Sequence, residues 1–335
     1  MALMTGRAGA EVSPKAQAAL LEPPTVNGQP VRVSVALWIL NIPAIDEVAQ
    51  RVDMVGYLIA DWKDPRLVYT PHGDDDTWRV YQPGEIWMPR FQFPNAVTPH
   101  TRYDGELSAR PDGSVRYLER WSVSLSSRFY LRRFPFDSQT LRLSVQPFLA
   151  NASRELLAGR PEMTGIEQGA SDALAQWQVG AIDFASRRVR LDNGKRYISQ
   201  LDFDIAIRRR SAFYIWKVFL PLLLMVCLSW TVFWVDPMDL SSQVTISVTT
   251  ILTIIAFGFS IAASLPRVPY LTYVDAFFLT CYIFVFLSIV ELVAVHFHHR
   301  RERGARALRI RVFARKGLPA AFIATNVAVA WWFLL

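Results

Sequence analysis

The sequence predicts an all-β outer sandwich followed by a four-helix transmembrane bundle, and three observations carry that prediction. The chain of 335 residues is 52% apolar with a positive mean hydropathy, which excludes a disordered chain and is unusual for a purely soluble one. Almost all the long uncharged runs lie after Arg210. Before that point, short segments alternate apolar and polar residues with period two between turn signals, the pattern of half-buried strands.

Residues 1–29 are rich in Ala, Pro and Gly and lack the apolar core of a secretory signal, so they read as a leader remnant with little structure of its own. The sandwich is expected over 30–210. Val31, Val33, Val35, Leu37 and Ile39 share one face of its first strand, and Leu201, Phe203, Ile205 and Ile207 share a face opposite Asp202 and Asp204. Arg110-Pro111-Asp112-Gly113-Ser114 and Leu191-Asp192-Asn193-Gly194-Lys195 are hairpin turns. No helix of substance is required before Ala212. Two cysteines, Cys227 and Cys281, both inside apolar spans, exclude a disulfide framework and an all-thiolate zinc site.

The transmembrane half, 211–335, divides into spans over about 212–235, 241–264, 271–297 and 312–335, each long enough to cross roughly 30 Å of hydrocarbon. The third and fourth are joined by a short basic connector, 298–311. From His298 to Lys316 eight Lys/Arg face a single Glu302, which marks the cytoplasmic side. The sandwich and the C-terminus therefore lie outside. The net charge of +7 is accordingly a membrane feature: the first 200 residues hold no basic block with interleaved aromatics, so the bilayer, and not nucleic acid, is the expected partner.

The second span carries hydroxyls. At 100° per residue, Ser241, Thr245, Thr249, Leu252, Ala256, Phe259 and Ala263 fall within about 40° of one line along the helix. If several copies surround an axis, that stripe makes a wet inner mouth and then apolar constrictions at Leu252 and Phe259, which can gate by dewetting. The hydroxyls could instead bond back to i−4 carbonyls or stitch helices together. Periodicity leaves both readings open.

Trp62-Lys63-Asp64-Pro65-Arg66-Leu67 resembles the W-x-D-x-R-L strand signature of the pentameric ligand-gated ion channels, the Cys-loop receptor superfamily, and Phe134-Pro135-Phe136-Asp137 resembles its F-P-F-D loop. Trp87-Met88-Pro89, Pro221, the Thr-rich second span and Leu265-Pro266-Arg267-Val268-Pro269-Tyr270 follow in the family's order, over about residues 31–335. Ser127 and Leu141 stand where the name-giving cysteines would be. That absence and the short connector make the chain similar to the prokaryotic branch, and within it to the Erwinia ligand-gated channel type.

The resemblance implies a homopentamer around a central pore, conducting monovalent ions and opened by a small-molecule agonist or by protons. It places Phe93, Asn95, Phe148 and Tyr197 on one side of an agonist site between subunits and Tyr57 on the other. A ring cluster of that kind attracts an organic cation, and a primary amine, an aromatic acid and protons are all open. Asp46, Glu47, Phe134, Pro135, Phe136 and Asp137 would couple the sandwich to the pore, with Arg208 paired to those acids and Pro266 and Arg267 receiving the motion. Arg209 and Arg210 read as interfacial, snorkelling arginines. Asp236, Asp239 and Gln243 would form the inner mouth, where carboxylate rings favour cations. An anion-conducting channel of the same fold is the alternative.

His72-Gly73-Asp74-Asp75-Asp76 gathers potential metal ligands, yet no second cluster accompanies it and no G-x-S-x-G, H-E-x-x-H or P-loop occurs. It reads as a solvated acidic loop open to weak divalent-cation modulation. His296, His298 and His299 are interfacial. Neither a catalytic residue nor a resident metal or cofactor is expected. The competing non-enzyme reading is a membrane-tethered β-sandwich receptor that binds without conducting.

Overall fold

The computed structural model describes residues 18–25, 28–71, 73, 77–148, 155–191, 196–236, 239–263, 267–301 and 304–334. Residues 1–17 of the expected leader remnant, the acidic positions His72 and Asp74 to Asp76, the turn Asp192 to Lys195, and Pro266 lie outside the described residues.

Two sheets face each other. The first runs β3 (Arg79–Tyr81), β5 (Thr101–Ala109), β6 (Ser114–Ser126), β2 (Arg51–Lys63), β1 (Val31–Asp46) and β8 (Glu155–Gly159), with β9 (Gly165–Ile166) also paired to β1. The second runs β10 (Trp177–Leu191), β11 (Arg196–Arg209), β7 (Ser138–Pro147) and β4 (Phe91–Gln92). Alternation decides which side chains fill the space between them: Val52, Met54, Leu58, Ala60 and Trp62 of β2 are buried, as are Leu201, Phe203, Ile205 and Ile207 of β11. Each large side chain so buried contributes about 1.5–3 kcal/mol. Gly56 breaks the series for a steric reason. A Cβ there would stand 2.6 Å from the Trp38 carbonyl oxygen and 2.9 Å from the Trp121 ring, so the indole at the centre of the core packs on bare backbone.

The W-x-D-x-R-L segment closes the end of β2. Trp62 meets Trp87 edge to face at 5.5 Å, and the buried Asp64 carboxylate accepts from the Arg66 backbone N–H at 3.0 Å and from its Nε at 2.8 Å. Among the described residues a short α-helix, α1 (Gln168–Ala173), lies between β9 and β10.

Four further helices, α2 (Ala212–Trp234), α3 (Leu240–Ala262), α4 (Tyr273–Arg300) and α5 (Gly304–Leu334), form the second half. All four are long and apolar enough to cross a membrane. The chain is thus a multi-pass membrane protein, and the basic α4–α5 turn places its sandwich on the extracellular or periplasmic side. α2 widens into a π-turn over Ile215–Phe219 just before Pro221, whose ring clashes with the carbonyl four residues back. Thr272 and Asp275 form a reciprocal capping box that starts α4.

The connector differs from expectation. α5 begins at Gly304, not near 312, so most of 298–311 is helical. Charge keeps a segment out of hydrocarbon but does not stop a helix, and Ala, Leu and Arg are strong helix formers. Arg311 and Arg315 therefore project from a helix: Arg311 Nε donates to the Phe233 carbonyl at 2.7 Å and its Nη2 to that of Val235, while Arg315 Nη2 reaches Phe233 O at 2.8 Å. They satisfy carbonyls that the end of α2 leaves open.

Candidate functional site

The face that α3 buries fixes the face it presents. Gln243, Ser247, Thr250 and Ile254 are buried against the other helices, a stripe about 180° from Thr245 at 100° per residue. Ser241, Thr245, Thr249, Leu252, Ala256, Phe259 and Ala263 lie on the opposite, exposed face; Leu252 is 59% and Phe259 74% exposed. Thr245, Thr250 and Thr253 donate to the carbonyls of Ser241, Ile246 and Thr249. Back-bonding thus satisfies the hydroxyl protons, and Thr245 still presents its oxygen on the open face.

Gln243 does not belong to a mouth. Its amide donates to the carbonyls of Val235 at 3.2 Å and Asp236 at 2.8 Å, because position 243 lies on the buried side of the helix. Asp239 caps α3 instead: its Oδ1 accepts from the Ser242 N–H at 3.1 Å, and hydrogen bonds from the Ser242 side chain and then its backbone hold the carboxyl below the usual range. Asp236 is exposed.

The junction between sandwich and helices is built on Arg209. Its side chain is fully buried, with Nε 2.7 Å from Asp137 Oδ1 and Nη1 2.7 Å from Glu47 Oε1. The guanidinium lies 4.1 Å from the Trp177 ring centre and 4.7 Å from that of Phe134. Burial alone would lower its pKa, and the hydrogen bonds it donates to Asp137 and Glu47 outweigh that, so the shift is upward. The expected partner, Arg208, is exposed. Strand parity gives the reason: Phe203, Ile205 and Ile207 point inward, so 209 does and 208 does not.

Around this pair the F-P-F-D loop and the residues just before it together touch three helices. Phe134, which precedes Pro135 through a cis bond, meets Tyr214 of α2 at 4.7 Å. Phe136 stacks on Phe219 at 6.2 Å and meets Tyr273 of α4 at 5.6 Å. Tyr270 Oη accepts from the Leu131 N–H at 3.1 Å, and Arg132 lies 5.8 Å from the Phe333 ring of α5. Phe136 thus packs on aromatic rings of α2 and α4, which suit a phenyl ring in edge and stacked geometries. Asp46 is turned to its own hairpin, accepting from the Ala49 N–H at 2.8 Å.

Of the five expected agonist residues, the chain brings Phe93 and Phe148 together in an open cavity of about 600 Å³. Phe93 is mostly covered, by Trp121 at 5.3 Å and His100 at 4.9 Å, whereas Phe148 is 49% exposed. Asn95 is spent on structure: its Nδ2 donates to the Arg142 carbonyl and its Oδ1 accepts from the Ser144 N–H, tying a loop to β7. Tyr57 stands on β2 in the other sheet. Tyr197, at the start of β11, is 40% exposed and is not among the lining residues. The cavity also holds Arg90, His100 and Arg102, which the sequence did not single out. Arg102 sits 3.3 Å from the buried Glu119, and burial together with that arginine pushes His100 down, toward its neutral form. Among the described residues no group of His, Cys, Asp or Glu is arranged to hold a metal ion.

Comparison with known proteins bears on both halves. The family model for the neurotransmitter-gated ion-channel ligand binding domain matches residues 17–211, and that for the neurotransmitter-gated ion-channel transmembrane region matches 218–323. A proton-gated ion channel of Gloeobacter violaceus is 29% identical over 311 residues, covering 93% of this chain and 86% of its own. A gamma-aminobutyric acid receptor subunit beta-like of Drosophila melanogaster is 26% identical over 303 residues, 85% of this chain and 60% of its own. The gamma-aminobutyric acid receptor subunit rho-1 of Mus musculus is 27% identical over 302 residues, 88% and 63%. The chain spans about three fifths of the length of these animal relatives. The expected kinship with an Erwinia-type channel is overturned by this likeness to a Gloeobacter channel. Motifs shared across the superfamily mark the family and do not separate its branches.

Proposed function

This chain belongs to the neurotransmitter-gated ion-channel family, and from that premise we propose that it acts as a homopentameric ligand-gated ion channel whose pore is lined by α3. The family is one of receptor channels, not enzymes. The observation that carries the proposal is the exposed stripe from Ser241 to Ala263, set opposite the face α3 buries. In a single chain Leu252 and Phe259 have nothing to cover them, whereas five copies around an axis turn them into rings that exclude water until the helices move. A receptor that did not conduct would not need hydroxyls and apolar rings in that order on its open face.

Agonist binds between neighbouring sandwiches, with Phe93, Phe148 and Tyr197 contributed by one copy and Tyr57 by the next. The movement reaches the pore through Phe134, Phe136, Asp137, Arg209 and Glu47, and through Tyr270 and Tyr273 at the head of α4. Arg90, His100 and Arg102 in the cavity that holds Phe148 favour an acidic agonist over an organic cation.

For the permeant ion, anion conduction is the better-supported reading. α3 carries no acidic residue from Leu240 to Ala262, Gln243 is turned into the bundle, Arg311 and Arg315 stand close behind the α2–α3 link, and gamma-aminobutyric acid receptors are among the relatives. On the other side stands the exposed Asp239 carboxylate. Purified protein in planar bilayers under asymmetric salt tests both parts: agonist- or pH-evoked current establishes the channel, and the reversal potential gives the sign of the ion. Complete absence of current under a broad agonist and pH screen would favour the non-conducting receptor.

A further inference from the structure

The face of the first sheet that points away from the core holds a cavity that the channel mechanism does not use. Of about 340 Å³, it is lined by Arg32 of β1, Asp61 and Lys63 of β2, Arg116 of β6, Arg110 of the β5–β6 turn and Arg160 beyond β8. Trp78 forms one wall. Asp61 and Lys63 reach it because they alternate with the buried Ala60 and Trp62.

Five cations against one lining carboxylate is an arrangement that repels itself unless something anionic completes it. Asp61 is shared, accepting from Arg116 Nε at 2.8 Å and pairing with Arg160. Two further acids stand near the cluster: Asp112, 3.5 Å from Lys63, and Glu162, 3.6 Å from Arg160. Among the described residues, five cations and three carboxylates leave a surplus of two. Arg32 has no carboxylate partner among the described residues, and Arg110 lies on the Trp78 ring at 4.4 Å, with Arg116 at 5.6 Å from the same ring. Stacking on an indole leaves a guanidinium's edge N–H groups free, and those are the groups that grip oxyanions in pairs.

We propose that this cavity binds a small divalent oxyanion, a phosphate, phosphomonoester or dicarboxylate, with Arg32 and Arg110 as its donors and Trp78 as the plate that orients Arg110. It lies four residues along β2 from Tyr57, about 13 Å at strand spacing, so it is separate from the agonist site proposed above and stands or falls without it. Lys63 and Arg116 hold the walls and add long-range attraction.

The test uses the full chain, purified and assembled, in detergent at fixed ionic strength. Inorganic phosphate and succinate are expected to raise its melting temperature saturably, while acetate and chloride do not. The double variant R32Q/R110Q is expected to weaken the apparent affinity by about tenfold or more. R32K/R110K, which keeps the charge but loses the paired donors, should fall between. R128Q, an exposed arginine outside the cavity, should match the unchanged protein. No saturable shift at millimolar phosphate and succinate, or the same shift in R32Q/R110Q as in the unchanged protein, overturns the proposal. A shift by phosphate alone or by succinate alone confirms the site and narrows the ligand.

Discussion

Arg209 and Asp137 form a buried ion pair at the junction of sandwich and helices, Nε to Oδ1 at 2.7 Å and Nη2 to Oδ2 at 3.3 Å. Asp137 also accepts from Gln139 Nε2 at 2.6 Å, and the Arg209 backbone N–H donates to the Asp137 carbonyl at 3.1 Å. The end of β11, which leads into α2, is thereby clamped to the F-P-F-D loop by side chain and backbone at once. Any rotation of the sandwich that moves this loop moves the entry to α2 with it.

Removing the guanidinium leaves two acids, Asp137 and Glu47, without their cation. Arg209→Gln should therefore destabilise the protein by about 3–5 kcal/mol, while Arg208→Gln, on the exposed side of the strand, should stay within about 0.5 kcal/mol. Thermal unfolding of the two variants side by side checks the assignment. Equal losses would return the pairing role to Arg208.

Leu252→Ser should lower the cost of wetting the ring proposed at that level of α3. The expected outcome is activation at lower agonist concentration, or current without agonist, with the protein's stability little changed because the side chain is exposed in each subunit. An unaltered dose response at unaltered conductance would mean that Leu252 faces lipid.

Phe148→Ala and Tyr197→Ala remove exposed rings far from α3. Each should raise the agonist concentration for half activation, by about tenfold for a ring that touches the ligand, with single-channel conductance preserved. The reverse pattern, altered conductance with the same sensitivity, contradicts the placement of the agonist.

Asp239 has two separable duties, a cap and a charge. Asn caps a helix as well as Asp does, so Asp239→Asn should keep stability, whereas Asp239→Ala should lose about 1 kcal/mol of helix stability. If anions permeate, both variants should raise conductance at low salt, where screening is weakest. Reduced conductance together with reversal at a cation equilibrium potential would instead establish the carboxylate as a cation attractor.

Glu155 of β8 is 3% exposed, its Oε1 lacks a hydrogen-bond partner among the described residues, and burial pushes its carboxyl up to about 8. The unfolded chain releases that proton near the ordinary glutamate pKa, the folded chain only near 8. Between those values the folded state binds more protons, so stability is full below the lower pKa and falls as pH rises, by about 1.4 kcal/mol per pH unit for this one group. Melting temperatures measured from pH 5 to pH 8 should decline in the unchanged protein and lose that component in Glu155→Gln. Parallel curves would show that Glu155 does not titrate in this range.

Much of this was legible in the sequence. Period-two alternation marked both sheets, and helical periodicity marked the α3 stripe before any contact was known. Two errors had the information at hand. The inward series Phe203, Ile205, Ile207 points to 209, and the angle of Gln243 from Thr245 puts it on the covered face, whereas position in the family pattern points elsewhere at both. The fate of Asn95 was of another kind. Its amide ties a loop to β7 at Arg142 and Ser144, a contact across 47 and 49 positions that no local pattern announces. The basic cavity was hidden for the same reason, since Arg32, Arg110, Arg116 and Arg160 come together only once β1, β2 and β6 pair. The helical start of α5 was missed because spans were delimited by charge, and charge limits depth in hydrocarbon, not helicity.

The two arginines that α5 extends to the Phe233 and Val235 carbonyls have a mechanical meaning. A helix of 31 residues is about 46 Å long, well over the roughly 30 Å of hydrocarbon it crosses, so it must lean or stand proud of the bilayer. Its foot is tied by Arg311 and Arg315 to the link between α2 and α3, and its head rests with Phe333 against Arg132 of the sandwich. Thickening or thinning the surrounding lipid changes the lean of this helix, and through those two guanidiniums the change is geared to the inner end of the helix that carries the stripe.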